Sequence, residues 1–226
     1  MKDKIELLTR IARFLILRGS FTGNIGLLQG KLGICIFFYR YARFTGKQHY
    51  FDFANNLIDE IYDEICLCNT KDFRDGLAGI CWGVEYLVRN DYVDADADVV
   101  LADLDVQILK NDVRAMTDPG LETGLDGLAH YVLGRCFNKE SRLFTTKEYI
   151  ADLIESMQKN QGSEELIHQL INLKEDRKVR YSFDILDRIA NKSKWKKDDL
   201  PEKHTIGISD NGLTGIAINL LNKIEP

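Results

Sequence analysis

Two kinds of hydrophobic pattern alternate along the chain, and both have the period of an α-helix. The first kind is amphipathic. In "FDFANNLIDEIYDEICL" an apolar stripe that includes Ala54, Leu57, Ile58 and Ile61 faces away from the charged residues, which predicts a surface helix. The same pattern recurs in "ELLTRIARFLIL", "VVLADLDVQIL", "KEYIADLIESM" and "RYSFDILDRIA".

The second kind of segment is apolar nearly all round and opens with two glycines three residues apart. From Leu77 to Val88 the only charged residue is Glu85, so this helix is predicted to be buried on most sides. Glycine costs a helix interior roughly 1 kcal/mol relative to alanine, so its repeated use there indicates a structural purpose. The glycine pairs are Gly30 and Gly33, Gly76 and Gly79, Gly124 and Gly127, and Gly212 and Gly215.

The spacing of these pairs indicates an internal repeat. The first three pairs are 46 and 48 residues apart, and the last interval of 88 residues is close to two units. The stretch "NQGSEELIHQLINL", residues 160–173, is the best candidate for a degenerate copy, because it keeps one glycine and the apolar pattern. The sequence therefore predicts about five helical hairpins, each with one outer and one inner helix.

We expect an all-α fold, an α/α toroid formed by one domain over residues 1–226, with a right-handed solenoid as the alternative. In a toroid the inner helices crowd at one end, so glycines would thin their first turns and permit close backbone approach. The glycines would also leave N–H groups exposed at the mouth of the central cavity. Packing is the simpler explanation of the glycines, and a direct ligand role is the alternative.

Composition and charge limit the classes of binding partner that we expect. The net charge of −5 and the pI near 5.5 give no reason to expect nucleic acid or an anionic membrane. The longest uncharged apolar run, residues 32–39, is too short to span a bilayer, so no membrane insertion is expected. An odd number of cysteines and an N-terminus without the features of a signal peptide favour a cytoplasmic protein with reduced thiols. A homo-oligomer is possible, because an incomplete ring would expose surface that a second chain could cover.

The glycine heads also carry a family resemblance. Their form, "GLxxGxxGIxxxL", together with "DGLAGICWGVEYLVRNDYVDADADVVLADLD" and "GISDNGLTGIAINLL", resembles the lanthionine synthetase C-like (LanC-like) superfamily, in particular its small Bacteroidetes-type members. The resemblance covers residues 20–135 and 205–223. It implies an α/α toroid, an architecture that six-hairpin glycosidases share.

The resemblance also implies where a metal would lie. Active lanthionine cyclases hold one zinc with two cysteines and a histidine placed just before the glycine heads. In this chain those positions hold no Cys or His, so we expect no zinc, no other cofactor and no catalytic residue of the cyclase type. The residues that stand there are Leu28 and Gln29, Arg74 and Asp75, Glu122 and Thr123, and Asp210 and Asn211.

Polar residues at these positions define a candidate ligand site at the mouth of the cavity. The carboxylates and the arginine could bind a polar peptide or a sugar, or could act as general acid and base in hydrolysis. N-capping is the structural alternative for Asp75, Thr123 and Asn211. The predicted site residues are Gln29, Arg74, Asp75, Glu122, Thr123, Asp210 and Asn211.

Three hypotheses of function follow. The first is a zinc-less LanC-like protein that binds a peptide or another protein without catalysis, as an accessory of peptide modification. The second is a carbohydrate hydrolase that uses the mouth carboxylates. The third is a cyclase with a displaced zinc site built from Cys35, Cys81, Cys136 or His130.

One segment departs from the repeat. Residues 191–206 combine several charges, a proline and the isolated Trp195, which is typical of a charged surface loop. We expect Trp195 to anchor this loop.

Overall fold

The computed structural model describes residues 2–137, 145–196 and 199–224, and every regular element in these ranges is helical. The predicted all-α class is therefore confirmed, and ten α-helices over the described ranges are consistent with an α/α toroid. Two compact units are present: residues 1–68 with 184–226 form the first, and residues 69–183 form the second. Within the described ranges, none of the helices combines the length and apolarity needed to cross a bilayer.

The first unit contains five α-helices. The second helix packs chiefly against the third, and the last helix contacts both the first and the second. In chain order they are α1 (Lys2–Gly19), α2 (Lys31–Thr45), α3 (Gln48–Glu64), α9 (Ile185–Ala190) and α10 (Leu213–Asn222).

The second unit contains the remaining five. Its centre is the pair α4 and α6, and α5, α7 and α8 pack around this pair. In chain order they are α4 (Leu77–Arg89), α5 (Ala97–Leu109), α6 (Leu125–Cys136), α7 (Lys147–Lys159) and α8 (Glu164–Lys174).

The predicted contrast between the two kinds of helix is present in both units. In α6 every residue except Asp126 is buried, whereas α3 buries only Tyr50, Ala54, Leu57 and Ile61 along one stripe. The degenerate copy at 160–173 does form a helix, α8, but α8 buries only three leucines. The segment "RYSFDILDRIA" is helical only from Ile185 onwards.

A similar loop precedes each glycine-headed helix, one residue longer before α10 than elsewhere, and we call it the head loop: residues 24–30, 70–76, 118–124 and 205–212. The first N–H of each helix donates to a carbonyl at the start of its own head loop. The bonds run from Lys31 N to Asn24 O (2.8 Å), Leu77 N to Thr70 O (3.0 Å), Leu125 N to Asp118 O (2.9 Å) and Leu213 N to Thr205 O (2.8 Å). N–H groups that the helix itself cannot satisfy are thus paired within the same repeat.

The glycines make this docking possible. A Cβ atom on Gly124 would lie closer than 3.0 Å to the backbone of Asp118 and Gly120, and one on Gly127 would meet the carbonyl of Leu121. The equivalent atoms on Gly30, Gly33, Gly76, Gly212 and Gly215 would meet their own head loops in the same way. The prediction of close backbone approach is therefore correct, but the backbone that approaches is the preceding loop and not a neighbouring inner helix.

Two other expectations about the helix starts are wrong. The N-caps of α4, α6 and α10 are Gly76, Gly124 and Gly212, which have no side chain to accept a hydrogen bond, so Asp75, Thr123 and Asn211 do not cap these helices. The leading N–H groups are also not presented to a cavity, because carbonyls of the head loops accept from them.

A charged network is buried inside the second unit. The guanidinium of Arg135 on α6 donates to Glu85 Oε2 on α4 at 2.9 Å and to Asp105 Oδ2 on α5 at 2.6 Å, and its side chain is 1% exposed. Tyr131 donates to Asp105 at 2.7 Å, and Arg89 contacts Glu85 at 3.0 Å. Burial opposes the charge of Arg135, but hydrogen bonds and charge contacts with Asp105 and Glu85 outweigh it and raise the pKa of Arg135.

We expect Gly127→Ala to destabilise the protein by about 2–3 kcal/mol, because the new methyl group would displace the head loop that lies on α6. Urea unfolding followed by helical circular dichroism measures this change. Gly23→Ala is the matched control, since nothing lies within 4 Å of its Cβ position; its effect should lie within about 1 kcal/mol of zero. Equal effects of the two substitutions would contradict the docking role.

Arg135→Met should cost about 3–5 kcal/mol of unfolding free energy, since it leaves Glu85 and Asp105 buried without their shared cation. Arg177→Ala, which removes an exposed pair with Glu175, should change the unfolding free energy by less than about 1 kcal/mol. An effect of Arg135→Met as small as that of Arg177→Ala would contradict the importance of this network.

Candidate functional site

Backbone hydrogen bonds join two head loops of the second unit. The N–H groups of Phe73 and Arg74 both donate to the carbonyl of Glu122, at 3.0 and 2.9 Å. This bridge links loop 70–76 to loop 118–124 without using any side chain. Because both loops are also bonded to their own helices, the residues before Gly76 and Gly124 are held at fixed relative positions.

A three-residue charge cluster lies on this bridge. Arg74 contacts Asp75 Oδ2 at 3.0 Å through Nε and Glu122 Oε2 at 3.4 Å through Nη1. A hydrogen bond and charge contact with Asp75, and weaker ones with Glu122, raise the pKa of Arg74. All three side chains are partly exposed, so each pair contributes at most about 1 kcal/mol to stability. The cluster is therefore a solvent-facing group of polar side chains and not a structural core.

Thr123, the fourth predicted residue of this unit, points to a different partner. Its hydroxyl donates to Asp118 Oδ2 at 2.6 Å, while Asp118 Oδ1 accepts from Gly120 N at 2.8 Å. The hydroxyl of Thr123 and the amide of Gly120 lower the pKa of Asp118. These bonds brace loop 118–124 and leave Thr123 exposed at its edge.

A cavity of about 480 Å³ adjoins the two loops. Phe73, Met116 and Leu128 supply its apolar surface, and Phe73 and Leu128 are buried while Met116 is half-buried. The polar lining residues are Asn69, Thr70, Lys71, Asp72, Asn111 and Thr123. Such a cavity can hold one apolar side chain of a peptide, while its polar lining can bind the peptide's backbone amides.

The first unit repeats the same loop arrangement. Ile208 N and Ser209 N donate to the carbonyl of Leu28, at 2.6 and 3.4 Å, as Phe73 and Arg74 do to Glu122. Above this bridge, Gln29 Nε2 donates to Ser209 Oγ at 2.6 Å and to Asp210 Oδ2 at 3.0 Å. The structure thus brings Gln29 and Asp210 together in one unit and Arg74, Asp75 and Glu122 together in the other.

Asn211 contacts the charged loop formed by residues 191–206. Its side chain accepts a hydrogen bond from Lys194 N, and its carbonyl lies 3.1 Å from Nδ1 of His204. Trp195 stacks on His204 with ring centroids 5.4 Å apart, and Arg10 lies over the Trp195 ring at 5.7 Å. Trp195 therefore anchors this loop, as the sequence predicted; residues 197–198 of the loop lie outside the described ranges.

The residues present do not fit a zinc site. Over the described ranges, no group of three or more His, Cys, Asp or Glu side chains could hold a metal ion. Cys35 donates to the carbonyl of Ala54 at 3.4 Å, and burial raises the pKa of its thiol well above the ordinary value. His130 Nδ1 lies 2.8 Å from the hydroxyl of Tyr181, which also accepts from Trp82. Neither Cys35 nor His130 belongs to a metal-holding group, so the displaced-zinc hypothesis gains no support.

The geometry also gives no support to glycoside hydrolysis. That reaction needs two carboxyl groups that face the sugar from opposite sides of the bond to be cleaved. Asp75 and Glu122 instead contact the same guanidinium, and Asp210 belongs to the other unit, where Gln29 binds it.

Sequence reasoning missed part of the cavity. Lys71, Asn111 and Met116 line it, and Lys71 Nζ donates to Asn111 Oδ1 at 3.0 Å across 40 residues of sequence. Phe73 had a detectable signal, because it lies in the stretch just before a glycine head. Asn111 and Met116 had none, since they lie in an irregular connection after α5.

These features define an all-helical protein in which each glycine-headed helix begins beneath a docked head loop. The family model described as lanthionine synthetase C-like protein matches residues 23–224. The chain therefore belongs to the LanC-like family. Neither the curated proteins nor the solved structures contain a match.

Protein purified without chelator or histidine tag should contain well below one zinc per chain by elemental analysis, because the positions before the glycine heads offer no thiolate or imidazole. Apo protein supplemented with zinc and then dialysed should return to the same low content. One tightly held zinc per chain, lost on Cys81→Ser or Cys136→Ser, would contradict this prediction and restore the displaced-zinc hypothesis.

Proposed function

We propose that this chain is a non-catalytic LanC-like protein that binds a peptide segment, free or as part of another protein, at the cavity beside Arg74 and Glu122. The observation that carries the proposal is the identity of the residues that precede two of the glycine heads. Two head loops are joined through their backbones, and at the positions where the family resemblance implies zinc ligands they carry an exposed Arg74–Asp75–Glu122 cluster.

The chemistry of the cavity supports a peptide as the ligand. Phe73, Met116 and Leu128 offer an apolar contact for one side chain. Around it stand cationic, anionic and amide groups that can pair with backbone and polar side chains of an extended segment. Because both signs of charge are present, a polyanion or a polycation would meet repulsion as well as attraction.

Membership of the LanC-like family supports a role as an accessory of peptide modification, in which the chain presents a segment to a separate enzyme. We propose the cytoplasm as its compartment. The five cysteines, all within the described ranges, form no disulfide bond, and Cys66 is exposed, which suits a reducing environment.

Phage-displayed random dodecapeptides, selected on the full chain, would supply the probe, and calorimetry with the synthesised consensus peptide would measure its affinity. Arg74→Ala and Glu122→Ala should each weaken binding about five- to tenfold, and Thr123→Trp, which fills the cavity edge, should weaken it more. The expected affinity is micromolar, because the cavity accommodates one anchoring side chain.

Arg177→Ala is the matched control, since it removes an exposed arginine and its carboxylate pair elsewhere in the same unit. Unfolding curves of all variants would show that the folded fraction is unchanged. If no peptide is enriched, or if the enriched peptide binds the three site variants and the control equally, the proposed site is wrong.

A further inference from the structure

Two surface helices each expose large apolar side chains, and their charges are opposite. On α1, Leu17 is 69% exposed, and Phe21, in the turn that follows, is 86% exposed. On α5, Val99 is 74% and Val106 is 55% exposed. Isolated exposed apolar residues are common, but a pair on one helix face next to charges of one sign is typical of an interaction surface.

The face of α1 that exposes Leu17 is basic in its C-terminal half, whereas Asp3 and Glu6 lie on the same face nearer the N-terminus. Arg10, Arg13 and Leu17 follow the spacing i, i+3 and i+7, opposite the buried stripe that contains Leu8, Ile11 and Leu15, and Phe21 lies in the turn beyond the helix end at Gly19. Residues 10–21 contain three arginines, the third being Arg18, and no acidic residue, although the whole chain has a net charge of −5.

The face of α5 that exposes Val99 is acidic in its N-terminal part, and the exposed Lys110 follows the last residue of the helix. Val99, Asp103 and Val106 follow the spacing i, i+4 and i+7, opposite the buried Leu101 and Ile108. Asp94 and Asp96, just before the helix, and Asp103 on it are exposed, whereas Asp105 is buried against Arg135 and Asp98 also contacts Arg135.

We infer that the chain associates with a second copy of itself, with the basic face of α1 from one copy against the acidic face of α5 from the next. Each face supplies apolar contacts and the charge that the other lacks, so one partner satisfies both. The contact is heterologous, because it joins two different patches, so in a pair one copy keeps its α5 face free and the other keeps its α1 face free.

The association is weak and concentration-dependent. Helices of 18 and 13 residues present less area than the roughly 800 Å² per partner that a stable complex buries. An anionic membrane would account for the basic face of α1 but not for α5, whose aspartates anionic headgroups would repel. The self-association explains both faces with one partner.

Sedimentation velocity over about 5–500 µM tests the inference, since this range covers weak protein association. The weight-average mass of the wild type should rise with concentration. Arg13→Glu with Arg18→Glu should weaken association at least about tenfold, and Asp94→Lys with Asp103→Lys should do the same. Arg10 is left unchanged because it packs on Trp195, and Asp96 and Asp98 because they cap α5 and pair with Arg135.

The decisive sample is an equimolar mixture of the two reversed proteins. Each then carries faces that match only the other protein, so association should return to within about threefold of the wild type. Glu155→Lys with Arg177→Glu, two exposed charges off these faces, is the control and should associate like the wild type.

Three results would overturn the inference: a wild type that stays monomeric throughout the range, association that ignores both reversals, or a mixture that fails to recover while both proteins remain folded. Flotation with vesicles containing phosphatidylserine separates the membrane alternative. Binding to these vesicles by a monomeric wild type, lost on reversal of Arg13 and Arg18, would assign α1 to a membrane surface instead. Peptide binding at the cavity does not depend on either outcome.

Discussion

The docking of each head loop onto the first turn of its helix is the contact on which the other features depend. A buried helix start must satisfy N–H groups that have no partner inside the helix, and here carbonyls about seven residues earlier accept from them. Such close approach requires that the helix carry no Cβ atoms on that side, which is why paired glycines recur despite their cost in helix propensity. A cap side chain is then unnecessary, and Gly76, Gly124 and Gly212 can occupy the N-cap position.

This contact also determines what the helix starts can do. N–H groups that bind a loop carbonyl are not available to an anion, so the dipole of α4 or α6 cannot act as a phosphate site through them. Binding of a ligand would therefore have to use side chains that project from the loops, and we propose the Arg74–Asp75–Glu122 cluster and the residues that line the neighbouring cavity for this role. Membership of the LanC-like family thus specifies the scaffold, while the side chains at these positions specify the activity.

Much of the helical architecture could be predicted from local patterns, because the periodicity of apolar residues depends on neighbours in sequence. Contacts between residues far apart in sequence could not be predicted in this way, and Glu85 is an example. The sequence singles it out as the only charge between residues 77 and 88, but its partner Arg135 lies 50 residues away and Asp105 is on a third helix. The same limit applies to the site: Arg74 and Asp75 are adjacent in sequence, whereas Glu122 meets them only because two loops pair through their backbones. Asn111 and Met116 carry no pattern that reveals their place in the cavity.

The backbone bridge between head loops has an evolutionary consequence. In both units the bridge uses only main-chain atoms: Phe73 and Arg74 bind the carbonyl of Glu122, and Ile208 and Ser209 bind the carbonyl of Leu28. Any residue other than proline at the donor positions can make these bonds, so the side chains there can be replaced without loss of the loop geometry. A lineage can therefore exchange metal ligands for ion pairs, or one ion pair for another, by single substitutions that leave the protein folded at every step. Such a scaffold tolerates substitution at the loop positions that determine its chemistry, but it does not tolerate substitution at the neighbouring glycines.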